Sequence, residues 1–163
     1  MMFFRSLILP HIEDLEITMT EGSHMEMPGW TSLDFANLAQ RSGMSRIQSL
    51  QLGKGVEPYQ LVDFLKHTPS LSHLEVNGDV VFDSQTLEDV STGQLGPNIT
   101  SLRLDDVGDS LRILQMVWTR YKNTEASVTP ITRVQTSAPL GAELAEVNRW
   151  IAKLRDLGIS CYY

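Results

Sequence analysis

The chain is poor in the groups that do chemistry and in the charges that hold polyanions. It has one cysteine, Cys161, so no internal disulfide can form, and a reducing compartment is expected. With no histidine beside it in sequence, Cys161 reads as a small near-terminal hydrophobe rather than a catalytic thiol. Positive charge is also short: 13 Lys and Arg stand against 20 Asp and Glu, a formal net charge of -7. The basic residues are scattered, so nucleic acid is not an expected partner. No apolar run reaches the length of a membrane span, and a membrane is not expected either. The apolar start, Met1 to Leu9, is broken by Arg5 and Ser6 and lacks a basic lead and a small-x-small cleavage site. It is therefore not read as a signal peptide, and a cytoplasmic or nuclear location is expected. The histidines His11, His24, His67 and His73 show no metal-ligand spacing, and Gly53-Lys54-Gly55 lacks the third glycine of a dinucleotide loop. No metal and no cofactor are expected.

What is present is repetition. The pattern apolar-x-x-apolar-x-apolar occurs at Ile12/Leu15/Ile17, Ile47/Leu50/Leu52, Leu71/Leu74/Val76 and Ile99/Leu102/Leu104. A weaker copy, Ile131/Val134/Thr136, closes the series. A unit that returns every few tens of residues marks a repeat architecture. Pro10, Pro69 and Pro97 each stand two residues before a unit, where a residue without an N–H and with fixed φ suits a strand entrance. With 42% hydrophobic residues over 163 positions, one domain spanning 1–163 is expected.

The segments between units read as helices. Thr31 or Ser32 opens the first, with Leu33, Ala36 and Gln40 on one side and Gly43 as its stop. Pro58 begins the second, which carries Leu61, Phe64 and Leu65. Asp83 or Ser84 caps a short, weak turn with Leu87 and Val90. Asp109 or Ser110 caps a better one, with Leu111, Leu114, Trp118 and Tyr121. The last is the strongest, with Leu140, Leu144, Val147, Ile151 and Leu154 in one stripe. Gly158 then serves as its left-handed terminator, and Ile159 to Tyr162 forms a final strand.

Strands alternating with helices require parallel pairing, because each helix returns the chain to the same end. A sheet covered on both faces would show near-continuous apolar strands, whereas each strand here alternates. The sequence thus predicts an α/β solenoid. It is a curved parallel sheet of about five or six short strands with helices on one convex face. Residues 1–9 are the expected N-terminal cap, and 140–163 supply the C-terminal helix and last strand.

In this pattern the chain resembles leucine-rich-repeat proteins, more narrowly the divergent repeats of F-box-like proteins of basidiomycete fungi. The resemblance rests on Leu7 to Ile17 (with Leu9-Pro10-His11-Ile12), on Leu61 to Val76 (with His67-Thr68-Pro69-Ser70-Leu71), and on Leu154-Arg155-Asp156-Leu157-Gly158-Ile159. It implies repeats that choose a protein substrate while a separate F-box docks a ubiquitin-ligase adaptor. The units begin almost at Met1, so no F-box is expected here. The family's Asn or Cys after each strand is replaced by Thr20, Gly55, Asp79 and Val107, so the side-chain ladder such residues build is not expected.

If the apolar strand residues point inward, their neighbours point outward and stack into columns. The first holds Asp14, Ser49, His73, Ser101 and Arg133. The middle holds Glu16, Gln51, Glu75, Arg103 and Gln135, and the third Thr18, Gly53, Asn77, Asp105 and Ser137. Acids dominate the early strands, and Arg103 with Arg133 the later ones, a polarity that suits a protein partner of opposite polarity. The candidate binding residues are Asp14, Glu16, Gln51, His73, Glu75, Asn77, Ser101, Arg103, Asp105, Arg133 and Gln135. The same residues equally fit a solvated sheet face whose mixed charges keep it soluble. His73 with Glu75 and Ser101 imitates a triad, but a flat sheet has no oxyanion hole, and no enzyme is expected. The expected function is a non-catalytic protein-interaction module. A secreted or defensive binder of carbohydrate or cell-surface ligands is the alternative, favoured if Trp30, Trp118 and Trp150 are exposed rather than packed. A homodimer through an exposed sheet edge is a further expectation.

Overall fold

Each unit places two apolar side chains on one side of a short strand, and each intervening helix brings an apolar stripe to cover them. A computed structural model describes residues 8–9, 11–17, 32–53, 58–78, 82–105, 109–123, 128–137 and 143–163. Six strands form one parallel sheet: β1 (Asp14–Ile17), β2 (Ser49–Leu52), β3 (His73–Asn77), β4 (Ser101–Asp105), β5 (Arg133–Thr136) and β6 (Ser160–Tyr162). They lie side by side in chain order, and the sheet stays open. Among the described residues five α-helices alternate with them: α1 (Ser32–Ser42), α2 (Pro58–His67), α3 (Ser84–Thr92), α4 (Ser110–Lys122) and α5 (Leu144–Arg155). None of the described helices is long and apolar enough to cross a membrane.

The register carries Leu15, Leu50, Leu74, Leu102, Val134 and Cys161 across the sheet in one row. Ile17, Leu52, Val76, Leu104 and Thr136 form the next. From β2 onward both rows are buried, and with the helix stripes they make a single core cluster. Along the strands these positions alternate with half-buried or exposed ones. One face of the sheet is dry and the other wet.

The repeats are stitched at the strand entrances by a ladder of hydroxyls. Ser72 Oγ donates to the Gln48 carbonyl (3.1 Å), Thr100 Oγ1 to that of Ser72 (3.2 Å), and Thr132 Oγ1 to that of Thr100 (3.2 Å). Each of these carbonyls also accepts two backbone N–H groups from the next unit. The expected loss of an Asn ladder concerns positions 20, 55, 79 and 107, which lie outside the described residues. The hydroxyl ladder lies at the other end of the strands.

Helix faces differ from expectation in two places. In α1 the buried side chains are Phe35, Leu38, Ala39 and Ser42, not the line through Ala36 and Gln40; Phe35 packs edge-on against Phe64 of α2. In α4 the buried stripe runs through Ile113, Leu114, Val117 and Arg120, rotated from the line of Leu111, Trp118 and Tyr121, which is only half-buried. The weak turn expected at Leu87 is a nine-residue helix, because Asp83 accepts the Thr86 N–H as its cap and Gly93 ends it in left-handed geometry. Helix α5 closes as expected. Gly158 (φ 82) lets Ile159 N–H reach back to the Leu154 carbonyl and its own N–H to that of Arg155. Leu144, at the start of that stripe, is exposed, and Leu140 lies outside the described residues.

Arg120 is the unusual member of the core, with 0% of its surface accessible. Its guanidinium donates to five carbonyl oxygens, those of Val90, Gly96, Pro97, Ile99 and Thr129. It therefore ties α3 and the turn before β4 to the segment entering β5. Burial pushes its pKa down to about 10, still far enough above neutrality to keep the charge.

Candidate functional site

The wet face of the sheet is where side chains from all six strands converge. Parallel pairing aligns Asp14, Ser49, His73, Ser101, Arg133 and Ser160 in one column, and Glu16, Gln51, Glu75, Arg103, Gln135 and Tyr162 in the next. The candidate residues thus occupy the expected columns, and Asn77 pairs with Asp105 in the third. Thr18 of that third column lies outside the described residues. Ser160 and Tyr162 extend the first two columns beyond the candidate set. The signal for them was the alternation in Ile159 to Tyr162, and Tyr162 stands well exposed at the end of the middle column.

The polar side chains on this face are paired with one another. Arg103 Nε donates to Asp105 Oδ2 at 2.8 Å, and its Nη1 lies 3.8 Å from Glu75 Oε2. Asn77 Nδ2 donates to Glu75 Oε1 (3.0 Å), and Gln135 Nε2 to Asp105 Oδ1 (3.4 Å). Both ion pairs are partly exposed, with Arg103 at 48% accessibility. Each contributes well under about 1 kcal/mol, so the network orders the face more than it stabilises the fold. The charge polarity along the sheet is blunted as a result, because Arg103 is shared between two carboxylates. Asp14 and Glu16 on β1 form no ion pair among the described residues.

The first column holds a different arrangement. His73 Nδ1 lies 2.7 Å from Ser72 Oγ, and His73 Nε2 lies 3.1 Å from Arg133 Nη2. The contact runs from β3 to β5, over the small side chain of Ser101 on the strand between them. A guanidinium can only donate, so His73 Nε2 accepts. The proton of the neutral ring is then on Nδ1 and is donated to Ser72 Oγ, whose own proton goes to the Gln48 carbonyl. Glu75 is turned toward Asn77 and Arg103, so His73, Glu75 and Ser101 are neighbours without triad geometry.

Elsewhere the described residues hold no group of three or more His, Cys, Asp or Glu placed to bind a metal ion. Cys161 is buried. Burial pushes its thiol pKa up, against a smaller opposing pull from Arg155, so it is a weak nucleophile. Arg155 also donates to the Cys161 carbonyl from Nε (3.2 Å) and from Nη2. Ser160 N–H turns the other way, to the carbonyl of Thr132 just before β5; Arg155 therefore covers the outer edge of β6.

Trp118 and Trp150 are half-buried and meet edge to face at 6.1 Å. Lys153 Nζ lies over both rings, at 3.7 and 4.2 Å, and Lys122 Nζ over that of Trp118. Their faces are occupied by the protein's own cations. Trp30 lies outside the described residues. Of the expected N-terminal cap, residues 1–7 also lie outside; Leu9 is fastened to α1 by its N–H donating to Ser42 Oγ (3.0 Å), and Ile8 is exposed. A shallow cleft of about 460 Å³ between Ala36, Asn37, Gln40, Ser45 and His67 carries no convergent charge.

No protein-family model, curated protein or solved structure matches this chain.

Proposed function

We propose that the chain is a leucine-rich-repeat-like solenoid, its sheet curved and its helices on the convex side. It acts as a non-catalytic protein-interaction module, similar to the substrate-reading part of an F-box receptor, and binds its partner on the wet face. It works without cofactor or metal, in the cytoplasm or nucleus. The observation that carries this reading is the common register. It brings polar side chains from six consecutive strands into straight columns on one open face, a broad surface suited to another protein rather than to a small molecule. The carbohydrate reading depends on free aromatic faces, and the lysines over Trp118 and Trp150 do not favour it.

The test places bulk and charge in the middle column. Gln51→Arg with Gln135→Arg should abolish affinity capture of a partner that the wild type retains, while Tm stays within about 2 °C. Capture unchanged in the double variant overturns the wet face as the binding surface. Where two copies pair, the covered edge of β6 leaves β1 as the edge they would use. A strict monomer by light scattering at high concentration overturns that pairing.

A further inference from the structure

The two arginines of the wet face are differently engaged. Arg103 sits between two carboxylates, whereas Arg133 forms no ion pair among the described residues and rests on the neutral Nε2 of His73. A neutral imidazole is a weaker partner for a guanidinium than a carboxylate, which accepts two parallel N–H bonds and carries charge. Arg133 is exposed, and so is His73, so an incoming group reaches both without displacing the core.

We propose that His73 and Arg133, arched over Ser101, are the docking point for a single carboxylate side chain presented by the protein partner. This rests on the binding-face reading above and specifies its chemistry. When the carboxylate arrives, Arg133 turns its N–H groups from His73 Nε2 to the new oxygens. His73 Nε2, its lone pair free, takes a proton from solvent and donates it in a second hydrogen bond to the same carboxylate. The Nδ1–H to Ser72 Oγ is kept throughout, anchored by the Ser72 hydroxyl on the Gln48 carbonyl. Docking and proton uptake are thus one event.

The surroundings set the class of ligand. Facing His73 are Glu75 on its own strand, Arg103 on β4, Arg133 on β5 and, at the far end of the column, Asp14 on β1; β2 presents only Ser49 and Gln51. The helices pack on the other face of the sheet. Glu75 and Asp14 lie near the point, and Arg103 is already shared between Glu75 and Asp105. The same acids limit how much negative charge the point accepts, so a singly charged carboxylate fits better than a doubly charged phosphate.

The experiment titrates the isotope-labelled full chain with an end-capped peptide carrying a single glutamate and, separately, with inorganic phosphate, following the His73 ring and Arg133 Nε signals by NMR at about pH 8 and about pH 6. The peptide should move both signals and bind roughly three- to tenfold more tightly at the lower pH, as uptake of one proton requires. His73→Gln should retain a weaker site with no pH dependence, and Arg133→Met should abolish it. Silent His73 and Arg133 signals, affinity equal at both pH values, or tighter binding of phosphate than of peptide would each overturn the proposal. Such a failure is distinct from failure of the binding face, which capture by the Gln51→Arg, Gln135→Arg variant decides at other residues.

Discussion

The dry and wet faces of the same sheet each employ arginine, and they do so in opposite ways. On the dry side Arg120 has no carboxylate; five backbone carbonyls satisfy it from three segments of chain. On the wet side Arg103 is matched by two carboxylates and Arg133 by a neutral histidine, all in contact with water. A buried charge held by several backbone acceptors is locked in place, since any rearrangement strands both the charge and its acceptors. An exposed pair loses little when it opens, because water takes over either partner. Arginine on one face therefore holds the repeats together, and on the other it can be surrendered to a ligand.

The sharpest way to break this comparison is to truncate the buried member. Arg120→Met should lower stability by about 3 kcal/mol or more, since five carbonyls lose their donor, and lower Tm by roughly 6–12 °C. A loss no larger than that of Arg103→Gln would erase the distinction between the faces. A smaller effect comes from Thr136, on the buried face of β5. Among the described residues its hydroxyl has no hydrogen-bond partner, and only 2% of its surface is accessible. Thr136→Val should raise stability by about 1 kcal/mol, and thermal melting at neutral pH measures it. A destabilised valine variant would mean that the hydroxyl is satisfied. The smallest effect belongs to Asp83, a charge bound to backbone like Arg120 but in water. The Thr86 N–H at 2.6 Å holds its carboxyl below the ordinary aspartate value of 3.8. A lowered acid pKa means stability that is present above that value and fades as pH falls below it. Asp83→Ala should therefore lower Tm slightly at neutral pH, and the gap should close in acid. A gap independent of pH would show that the cap does not work through its charge.

Much of this was legible in the chain. The five units predict the strands and their register, since each apolar-x-x-apolar-x-apolar copy aligns only one way with the next. Leu61, Phe64 and Leu65 lie on the buried face of α2 as their spacing predicts, and Gly158 closes α5 as a left-handed residue. The hydroxyl ladder was also within reach, because Ser72, Thr100 and Thr132 share the second position of their units. Arg120 was not. In a helical pattern a late arginine reads as a solvated partner of the helix dipole, and no local signal tells of carbonyls that arrive from 21 to 30 residues away. The contact of His73 with Arg133, 60 residues apart, was hidden for the same reason.

The sequence by itself determined which strand side chains face the core and which face water. That choice is made by a period of two along each strand, and parallel stacking repeats it from unit to unit. Only the tertiary structure decided how the polar groups are partnered. Partnering depends on where a guanidinium ends after several rotatable bonds, and on small neighbours such as Ser101 that let it pass. Distances of that kind are set by the packing of whole units and are not written in any one of them.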